Sequence, residues 1–414
     1  MTDRLRVLVV GDGPNLPSGL GRIARELCAH LHMDAEALGV DLVQLGKGPH
    51  GGWPWPTQSW PDGEEQELHT LRSVCVGRKP DVIFTVLDPG RLLHVYRWAA
   101  AAETPCWGYF PIDAAGGGGV FGRGFGGPAA HVVRTASRVL AYTEFGRKIL
   151  QDTLRTPGRD EPLTSPDQVE VLPHGLAQHW KLPGVRPAGE PLVVGAVGTN
   201  QPRKDWGWFF QGMSILREGL KDRALRVRVK TDVMVKAWSL YELLERWGLE
   251  DCTEVIVDED EHGQLRASPG GTAWAMQDHQ LREWYASCHL TVAVGLGEGW
   301  GYPIMESLAC GRPVVGVAYA GGEHMTPALG RILCGTYRAE GVYGLLRPVL
   351  DPYRLVASVL NLRAWQEDVG WDASEALCAG AADHLGWARV WPAWREWWRR
   401  GLDQIRQQEA SAKG

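Results

Sequence analysis

The sequence predicts an α/β protein with two doubly wound domains, each built on a mostly parallel sheet. Short β-branched runs alternate with helix-length segments along the 414 residues, a rhythm typical of parallel strands joined by helical crossovers. The length favours two or three domains. A polar, proline-bearing stretch, Ala177 to Glu190, separates two such series, and we place the boundary there. We predict domains at residues 1–180 and 181–387, followed by an aromatic and basic amphipathic helix at 388–414.

The composition is that of a soluble globular protein, with 44% apolar and 22% charged residues. A net charge of −6 gives no general attraction for nucleic acid or anionic membranes, although it does not exclude a local basic groove. Eight scattered cysteines without a CxxC pair argue against zinc and against a disulfide framework. No leading apolar segment and no membrane-length apolar run is present, so we expect a cytoplasmic protein with no membrane insertion.

The first predicted strand, Arg6 to Val10, runs into a glycine-rich loop that ends at Gly21, and a helical pattern follows. A dinucleotide fingerprint would need glycine where Leu16 stands, which disfavours a nicotinamide cofactor and leaves a plain strand–helix connection as the alternative. Further strands are predicted at Leu42 to Leu45, Asp81 to Leu87, Cys106 to Phe110, Val139 to Thr143 and Val169 to Leu172. Ligands of such sheets bind beyond the carboxyl ends of the strands, which singles out Gly19, Asp88, Asp113, Thr143, Glu144 and His174.

The second series predicts strands at Leu192 to Val197, Leu225 to Val229, Thr253 to Val257, Leu290 to Val294 and Pro313 to Val317, with a long helix at Val235 to Trp247. Before it, the stretch Gly116 to Gly127 holds eight glycines. So much glycine disfavours helix and strand, so we expect a mobile loop. It would serve either as a lid carrying Phe121, Arg123 and Phe125 or as a plain insertion.

Two loops in the second half carry the residues for chemistry. Glu298 and Glu306 flank a turn from the strand that ends at Val294 into a helix with Pro303 in its first turn. Such a loop offers N–H groups to an anion and carboxylates to hydroxyls. Arg203 and Lys204 follow the first strand of the second domain, where they could clamp a diphosphate on the same edge.

The segment from Glu298 to Glu306 and on through Pro313 resembles the E-x7-E signature of retaining glycosyltransferases of GT-B fold, family 4. The loop that ends in Arg203-Lys204 is similar to that family's phosphate-binding loop. Pro173-His-Gly175 and Ser18-Gly-Leu-Gly21 are close to two further motifs. The resemblance implies two Rossmann-like domains that face a cleft, with the last helix crossing back to the first domain. Under this interpretation the three tryptophans from Trp394 to Trp398 pack in that helix instead of binding nucleic acid.

Carried over by motif position, Glu298 holds the hydroxyls of the donor sugar and Glu306 those of the nucleotide ribose. Arg203 and Lys204 neutralise the diphosphate. The resemblance further implies donor contacts from Gly19, Gly21, Gly299, Trp300 and Gly301. The donor is a nucleoside diphosphate sugar, most simply a UDP-sugar, and no permanent cofactor, metal or protein partner is expected. The family's first-domain histidine is missing here, and Asp113 is our candidate for that place, with a helix or turn cap as the alternative.

The acceptor is the least determined part. Segments including Tyr109 to Asp113 and Tyr142 to Arg147 are similar to a phage-associated branch of these enzymes. That resemblance implies transfer onto hydroxymethylated pyrimidines in DNA, with base flipping aided by the glycine-rich loop; the acidic charge argues against it. Alternatives are a glycan, lipid or small-molecule acceptor, a nucleotide-sugar epimerase, a sugar-nucleotide sensor and a dinucleotide oxidoreductase. The acidic cluster Asp258 to Asp260 also matches a metal-binding DxD, although such clusters are common on exposed loops.

Overall fold

The chain forms two compact units, each with its own parallel sheet. The computed structural model describes residues 4–16, 18–48, 51–61, 63–116, 125–158, 161–177, 180, 187, 189–220, 224–257, 276, 278–341 and 344–413. The first unit is built mainly from Met1–Gly175 and Ala388–Gly414, and the second from Leu176–Gly341 and Leu345–Trp387. The predicted class, two doubly wound α/β domains, is confirmed.

The first unit contains a seven-stranded sheet. Its strands are β1 (Leu5–Asp12), β2 (Val40–Lys47), β3 (Thr57–Trp60), β4 (Val82–Val86), β5 (Cys106–Phe110), β6 (Arg138–Ala141) and β7 (Glu170–Val171). The spatial order is β3-β2-β1-β4-β5-β6-β7, and all pairs are parallel. Every residue of β4 and β5 is buried, because helices cover both faces of such a sheet.

The helices of this unit follow the strands in alternation. They are α1 (Gly19–Met33), α2 (Ala35–Leu38), α3 (Glu64–Val74), α4 (Leu93–Ala101), α5 (Gly127–Thr135) and α6 (Glu144–Arg155). Side-chain oxygens begin two of them: Ser18 accepts a hydrogen bond from the Gly21 N–H, and Thr143 accepts one from the Gly146 N–H. Both caps place a helix N-terminus just past the carboxyl end of a strand.

The second unit contains a six-stranded parallel sheet of order β10-β9-β8-β11-β12-β13. Its strands are β8 (Leu192–Val197), β9 (Leu225–Lys230), β10 (Thr253–Ile256), β11 (Leu290–Val292), β12 (Val314–Val317) and β13 (Arg331–Ile332), and β14 (Tyr337–Glu340) pairs with β15 (Leu345–Pro348) as an antiparallel hairpin. Its helices are α7 (Trp206–Leu220), α8 (Leu240–Trp247), α9 (Asp278–Ala286), α10 (Tyr302–Ala309), α11 (Gly321–Met325), α12 (Pro352–Val369) and α13 (Trp371–Asp383).

The last helix, α14 (Trp387–Lys413), belongs to the first unit from Ala388 onward. Trp394, Trp397 and Trp398 are buried and pack against Phe84 of β4 with ring centroids 4.9–6.2 Å apart. The Trp394 indole donates a hydrogen bond to the Pro173 carbonyl over 2.8 Å. Aromatic packing was therefore the correct interpretation of this cluster, since these rings have no face left for a nucleobase.

The structure differs from the sequence-based elements in three places. The helix predicted from Val235 begins only at Leu240, because Ser239 caps it by accepting from the Glu242 N–H. Strands β3 and β13 and the β14–β15 hairpin were not predicted. Several predicted strands also end a residue or two differently; the one predicted at Val139 to Thr143, for example, ends at Ala141. Of the glycine-rich loop, residues 117–124, including Phe121 and Arg123, lie outside the described part of the chain.

Candidate active site in the second unit

Two loops meet at the carboxyl edge of the second sheet, because β8 and β11 are neighbouring parallel strands. The first loop joins β8 to α7 and carries Arg203 and Lys204. The second joins β11 to α10 and carries Glu298. The Leu296 N–H donates a hydrogen bond to the Arg203 carbonyl over 2.8 Å, which ties the two loops directly together.

The side chains of these loops form a charged cluster around Glu298. The Lys204 ammonium donates a hydrogen bond to Glu298 Oε1, and Arg203 Nη1 lies 3.4 Å from Glu298 Oε2. Lys204 is 5% exposed, and the Glu298 side chain is 15% exposed. The structure therefore brings Arg203 and Lys204 together with Glu298, which follows them by 95 and 94 positions in the sequence.

Glycine makes room for this cluster. A Cβ at Gly295 would lie 2.5 Å from Glu298 Oε1, so any side chain there would displace the carboxylate. The Glu298 carbonyl accepts a hydrogen bond from the Gly321 N–H over 2.7 Å, which anchors the loop to α11. The backbone of the loop is therefore fixed at Glu298, and the cations hold the Glu298 carboxylate.

The charge of Glu298 is stabilised by its neighbours. Burial by itself would raise the pKa of the Glu298 carboxyl, but Lys204 and Arg203, together with Arg347, outweigh burial and hold that pKa below its ordinary value. Arg347 is a buried residue of β15. Sequence reasoning missed Arg347 because the hairpin that carries it was not predicted. Arg347 also lies 3.9 Å from Glu340, so the cations that face Glu298 most directly are Lys204 and Arg203, an arrangement suited to a multiply charged anion.

Glu306 lies on α10, the helix that follows the Glu298 loop, and is 3% exposed. Its Oε2 accepts a hydrogen bond from the Tyr285 hydroxyl over 2.9 Å. A buried carboxylate can accept hydrogen bonds from uncharged hydroxyls, whereas it repels phosphate. Tyr285 is a second residue that sequence reasoning missed, since nothing in the pattern of α9 distinguishes its hydroxyl from a core aromatic.

The turn into α10 contains Gly299, Trp300 and Gly301. Gly301 is the N-cap residue with φ of +107°, a value that glycine adopts readily. No side chain caps this helix, and Pro303 occupies its first turn. Backbone N–H groups of this turn therefore point out of the helix N-terminus, where they can meet an anionic group.

The other predicted site residues belong to the first unit. Gly19 and Gly21 form the first turn of α1, and a Cβ at Gly21 would collide with the Leu16 carbonyl oxygen. Close packing of the preceding loop therefore explains Gly21 without a ligand. Asp113 follows β5 and is half-buried. It does not cap the next helix, since Gly126 occupies the N-cap of α5.

His174, at the end of the first unit's sheet, is fully buried. Its Nδ1 lies 2.9 Å from the Tyr109 hydroxyl, and its ring packs edge-on against Tyr142 at 4.7 Å. Burial holds the pKa of His174 well below its ordinary value. The imidazole is therefore neutral at physiological pH, and its Nδ1 is engaged by Tyr109 of the same unit.

Among the described residues, no group of three or more His, Cys, Asp or Glu side chains is arranged to hold a metal ion. The acidic cluster Asp258 to Asp260 lies outside that part of the chain. The eight cysteines are free thiols. Within the same residues, no helix has both the length and the apolar character needed to cross a bilayer.

Comparison with known proteins agrees with this architecture. The family described as "Glycosyl transferases group 1" matches residues 191–362. A D-inositol 3-phosphate glycosyltransferase from Streptosporangium roseum is 30% identical over 116 residues, which is 27% of this chain and 22% of that protein. The matched segment thus spans about a fifth of the length of that curated relative.

Solved structures share the whole fold. A sucrose-phosphate synthase from Thermosynechococcus elongatus superposes with a TM-score of 0.66 at 14% identity, covering 99% of this chain and 100% of that one. An E. coli structure titled "Trehalose-6-phosphate from E. coli bound with UDP-2-fluoro glucose" gives 0.63 at 12% identity, covering 96% and 99%. The chain therefore has the GT-B fold of glycosyltransferases, and its residues 191–362 match the group 1 glycosyltransferase family.

Proposed function

We propose that this chain is a retaining glycosyltransferase of the family 4 type, which moves a sugar from a nucleoside diphosphate sugar, a UDP-sugar, to a hydroxyl group. The observation that carries the proposal is the cluster of Lys204, Arg203 and Glu298 beside the helix that bears Glu306. A phosphorylated polyol needs both cations and hydroxyl acceptors, and both are present on one sheet edge. The match to group 1 glycosyltransferases supports the same activity.

Each residue then has a distinct task. Lys204 and Arg203 bind the diphosphate, Glu306 accepts hydrogen bonds from ribose hydroxyls, and Glu298 orients the transferred sugar. When the bond from the anomeric carbon to the phosphate oxygen breaks, its electron pair leaves with the diphosphate. The acceptor oxygen forms the new bond, and its proton passes to a donor phosphate oxygen. Cations fixed at the leaving group lower this barrier, because the negative charge there grows toward the transition state.

The donor test is direct. Wild-type protein is incubated with a panel of nucleotide sugars and acceptors, and products are followed by NMR, which also reports the anomeric configuration. We expect retained configuration, weakened nucleotide-sugar binding in Glu306→Ala, and slow transfer with near-normal binding in Lys204→Ala. Donor isomerisation without an acceptor would instead identify an epimerase. Wild-type rates in both variants would contradict the assignment of the site.

For the acceptor we propose a hydroxymethylated pyrimidine in DNA, bound by the first domain, residues 1–180, while residues 181–387 bind the donor. The support is the resemblance of the segments after β5 and β6, which include Asp113 and Glu144, to the phage-associated branch. The free cysteines fit a cytoplasmic enzyme.

A gel assay of radiolabelled sugar transfer tests the acceptor. The substrates are matched duplexes that contain either hydroxymethylcytosine or cytosine. Label is expected only on the former. Transfer to phosphorylated sugars or polyols with none to DNA would refute this acceptor while keeping the transferase. Small hydroxylated acceptors are the alternative, because the named relatives include an inositol phosphate glycosyltransferase and a sucrose-phosphate synthase.

A further inference from the structure

A buried hydrogen bond joins α9 to α10 behind the proposed donor site. The Tyr285 hydroxyl donates to Glu306 Oε2 over 2.9 Å. Tyr285 is 1% exposed, so bulk water does not compete for this bond. A phenol has a single proton to donate, and here it is directed at one particular carboxylate oxygen.

The surroundings keep Tyr285 in place. Its ring lies edge-on to Trp284 at 5.3 Å and to Trp180 at 6.5 Å. Just beyond it, the fully buried Arg312 donates from Nε to the Ala286 carbonyl over 3.2 Å.

The same arginine is fixed to the helix that carries Glu306. Its carbonyl accepts a hydrogen bond from the Ser307 hydroxyl over 3.1 Å, and Ser307 follows Glu306 on α10. The carboxyl end of α9 is therefore tied to α10 independently of the Tyr285–Glu306 bond. Loss of the hydroxyl alone leaves this scaffold and the ring packing intact.

The bond constrains what Glu306 can do. An ionised carboxylate only accepts hydrogen bonds, and each oxygen can accept about two. The phenol supplies one of these bonds and fixes the rotation of the carboxylate plane. A neighbouring pair of hydroxyls, such as the 2′ and 3′ hydroxyls of a ribose, can then be met without the cost of ordering the side chain on binding.

We propose that Tyr285 is a positioning residue that orients Glu306 toward the ribose of a nucleoside diphosphate and thereby sets a preference for ribose over deoxyribose. This inference rests on the proposed function. It adds a residue of α9 to the donor site. It also assigns the discrimination between ribose and deoxyribose to the pair Tyr285–Glu306, whereas the cations at Glu298 act on the diphosphate.

The test compares the binding of UDP, 2′-deoxy-UDP and 3′-deoxy-UDP by calorimetry. Tyr285→Phe keeps the ring and removes only the hydroxyl. We expect it to weaken UDP binding about tenfold, as for a hydrogen bond to a charged group, and to bind the deoxy nucleotides nearly as wild type does. The ratio of UDP affinity to deoxy affinity therefore falls. In the Glu306→Ala background the same change is expected to have no further effect.

The matched control is Tyr96→Phe. Tyr96 is also a buried tyrosine, in the first unit, and its hydroxyl bonds to Thr85 over 3.0 Å. Tyr96→Phe should leave the affinities for UDP, 2′-deoxy-UDP and 3′-deoxy-UDP unchanged. A merely structural role of Tyr285 would weaken the three ligands equally, so an unchanged affinity ratio in Tyr285→Phe overturns the inference. Absence of UDP binding by wild type would overturn the proposed UDP-sugar donor, and this inference with it. If wild type binds UDP but Tyr285→Phe has the same ratio of UDP affinity to deoxy-nucleotide affinity, only the inference is overturned.

Discussion

Replacing Lys204 by methionine removes the closest countercharge of Glu298 while keeping the length of the side chain. Breaking a buried ion pair on one side costs about 3–5 kcal/mol when nothing else compensates. Here Arg203 remains 3.4 Å from Oε2 but is itself 31% exposed, so water screens part of its effect. We therefore expect Lys204→Met to lower the free energy of unfolding by about 2 kcal/mol at neutral pH.

The pH dependence follows from the pKa of Glu298, which is below its ordinary value in the folded wild type. A depressed pKa contributes stability that is complete above the unfolded-state pKa and is lost as pH falls through the folded-state value. In Lys204→Met the pKa of Glu298 rises, because the effect of burial is then opposed by less positive charge. The difference in stability between the two proteins should therefore be largest at neutral pH and smaller at about pH 4, because Glu298 takes up its proton at a higher pH in the variant than in wild type.

Urea unfolding of the ligand-free proteins at the two pH values measures this. The double variant Lys204→Met/Glu298→Gln should be more stable at neutral pH than Lys204→Met alone, since it no longer holds a buried carboxylate that has lost its closest countercharge. The control, Arg155→Met, breaks an exposed contact with Asp167 at 3.5 Å and should change stability by at most about 0.5 kcal/mol. Equal effects of the two single variants, or no recovery in the double variant, would refute the reasoning.

Three further predictions concern the first unit. Ser18→Ala removes the N-cap acceptor of the Gly21 N–H and should cost about 1 kcal/mol in urea unfolding; an unchanged midpoint would contradict the cap. Trp394→Ala empties a fully buried site and should cost about 3–5 kcal/mol, whereas Trp394→Phe should lose less; similar losses would argue against cavity formation. Burial lowers the pKa of His174, so its contribution to stability is complete above about pH 6.5 and declines below it. The thermal midpoint should fall less on acidification in His174→Asn than in wild type, and an equal fall would place the acid sensitivity elsewhere.

The sequence predicted best the strands that are buried along all or nearly all of their length. Cys106–Phe110 and Leu192–Val197 have the bounds that the apolar runs predicted, because a central parallel strand needs continuous apolar sequence. Strand β3, Thr57–Trp60, lies at the sheet edge with mostly polar residues. Its pairing with β2 is a long-range contact that local pattern cannot reveal.

The misplaced start of α8 has a similar cause. The loop before α8 is held by Asn200, whose Nδ2 donates to the Trp238 carbonyl over 2.8 Å and whose Oδ1 accepts from the Trp238 N–H over 3.0 Å. These bonds keep residues before Ser239 out of the helix, although their side chains suit one. Such a side-chain-to-backbone contact across 38 positions cannot be read from helical periodicity.

Some contacts of the candidate site could likewise be predicted from the sequence, and others could not. The adjacency of the Lys204 and Glu298 loops could be predicted, because neighbouring parallel strands deliver their loops to one edge. Arg347 and Tyr285 could not, since each reaches the site through tertiary packing: one from a hairpin beyond the parallel sheet and the other from the interior face of α9. The roles of the predicted residues toward a ligand remain predictions.

Calorimetric binding of UDP to wild type and to Glu306→Ala tests the central claim most directly. Glu245, an exposed glutamate on α8, provides the matched control Glu245→Ala. We expect wild type and Glu245→Ala to bind UDP equally, and Glu306→Ala to bind at least about tenfold more weakly. Equal binding by all three proteins, or no binding by wild type, would contradict the assignment of a nucleoside diphosphate sugar site to this edge of the second sheet.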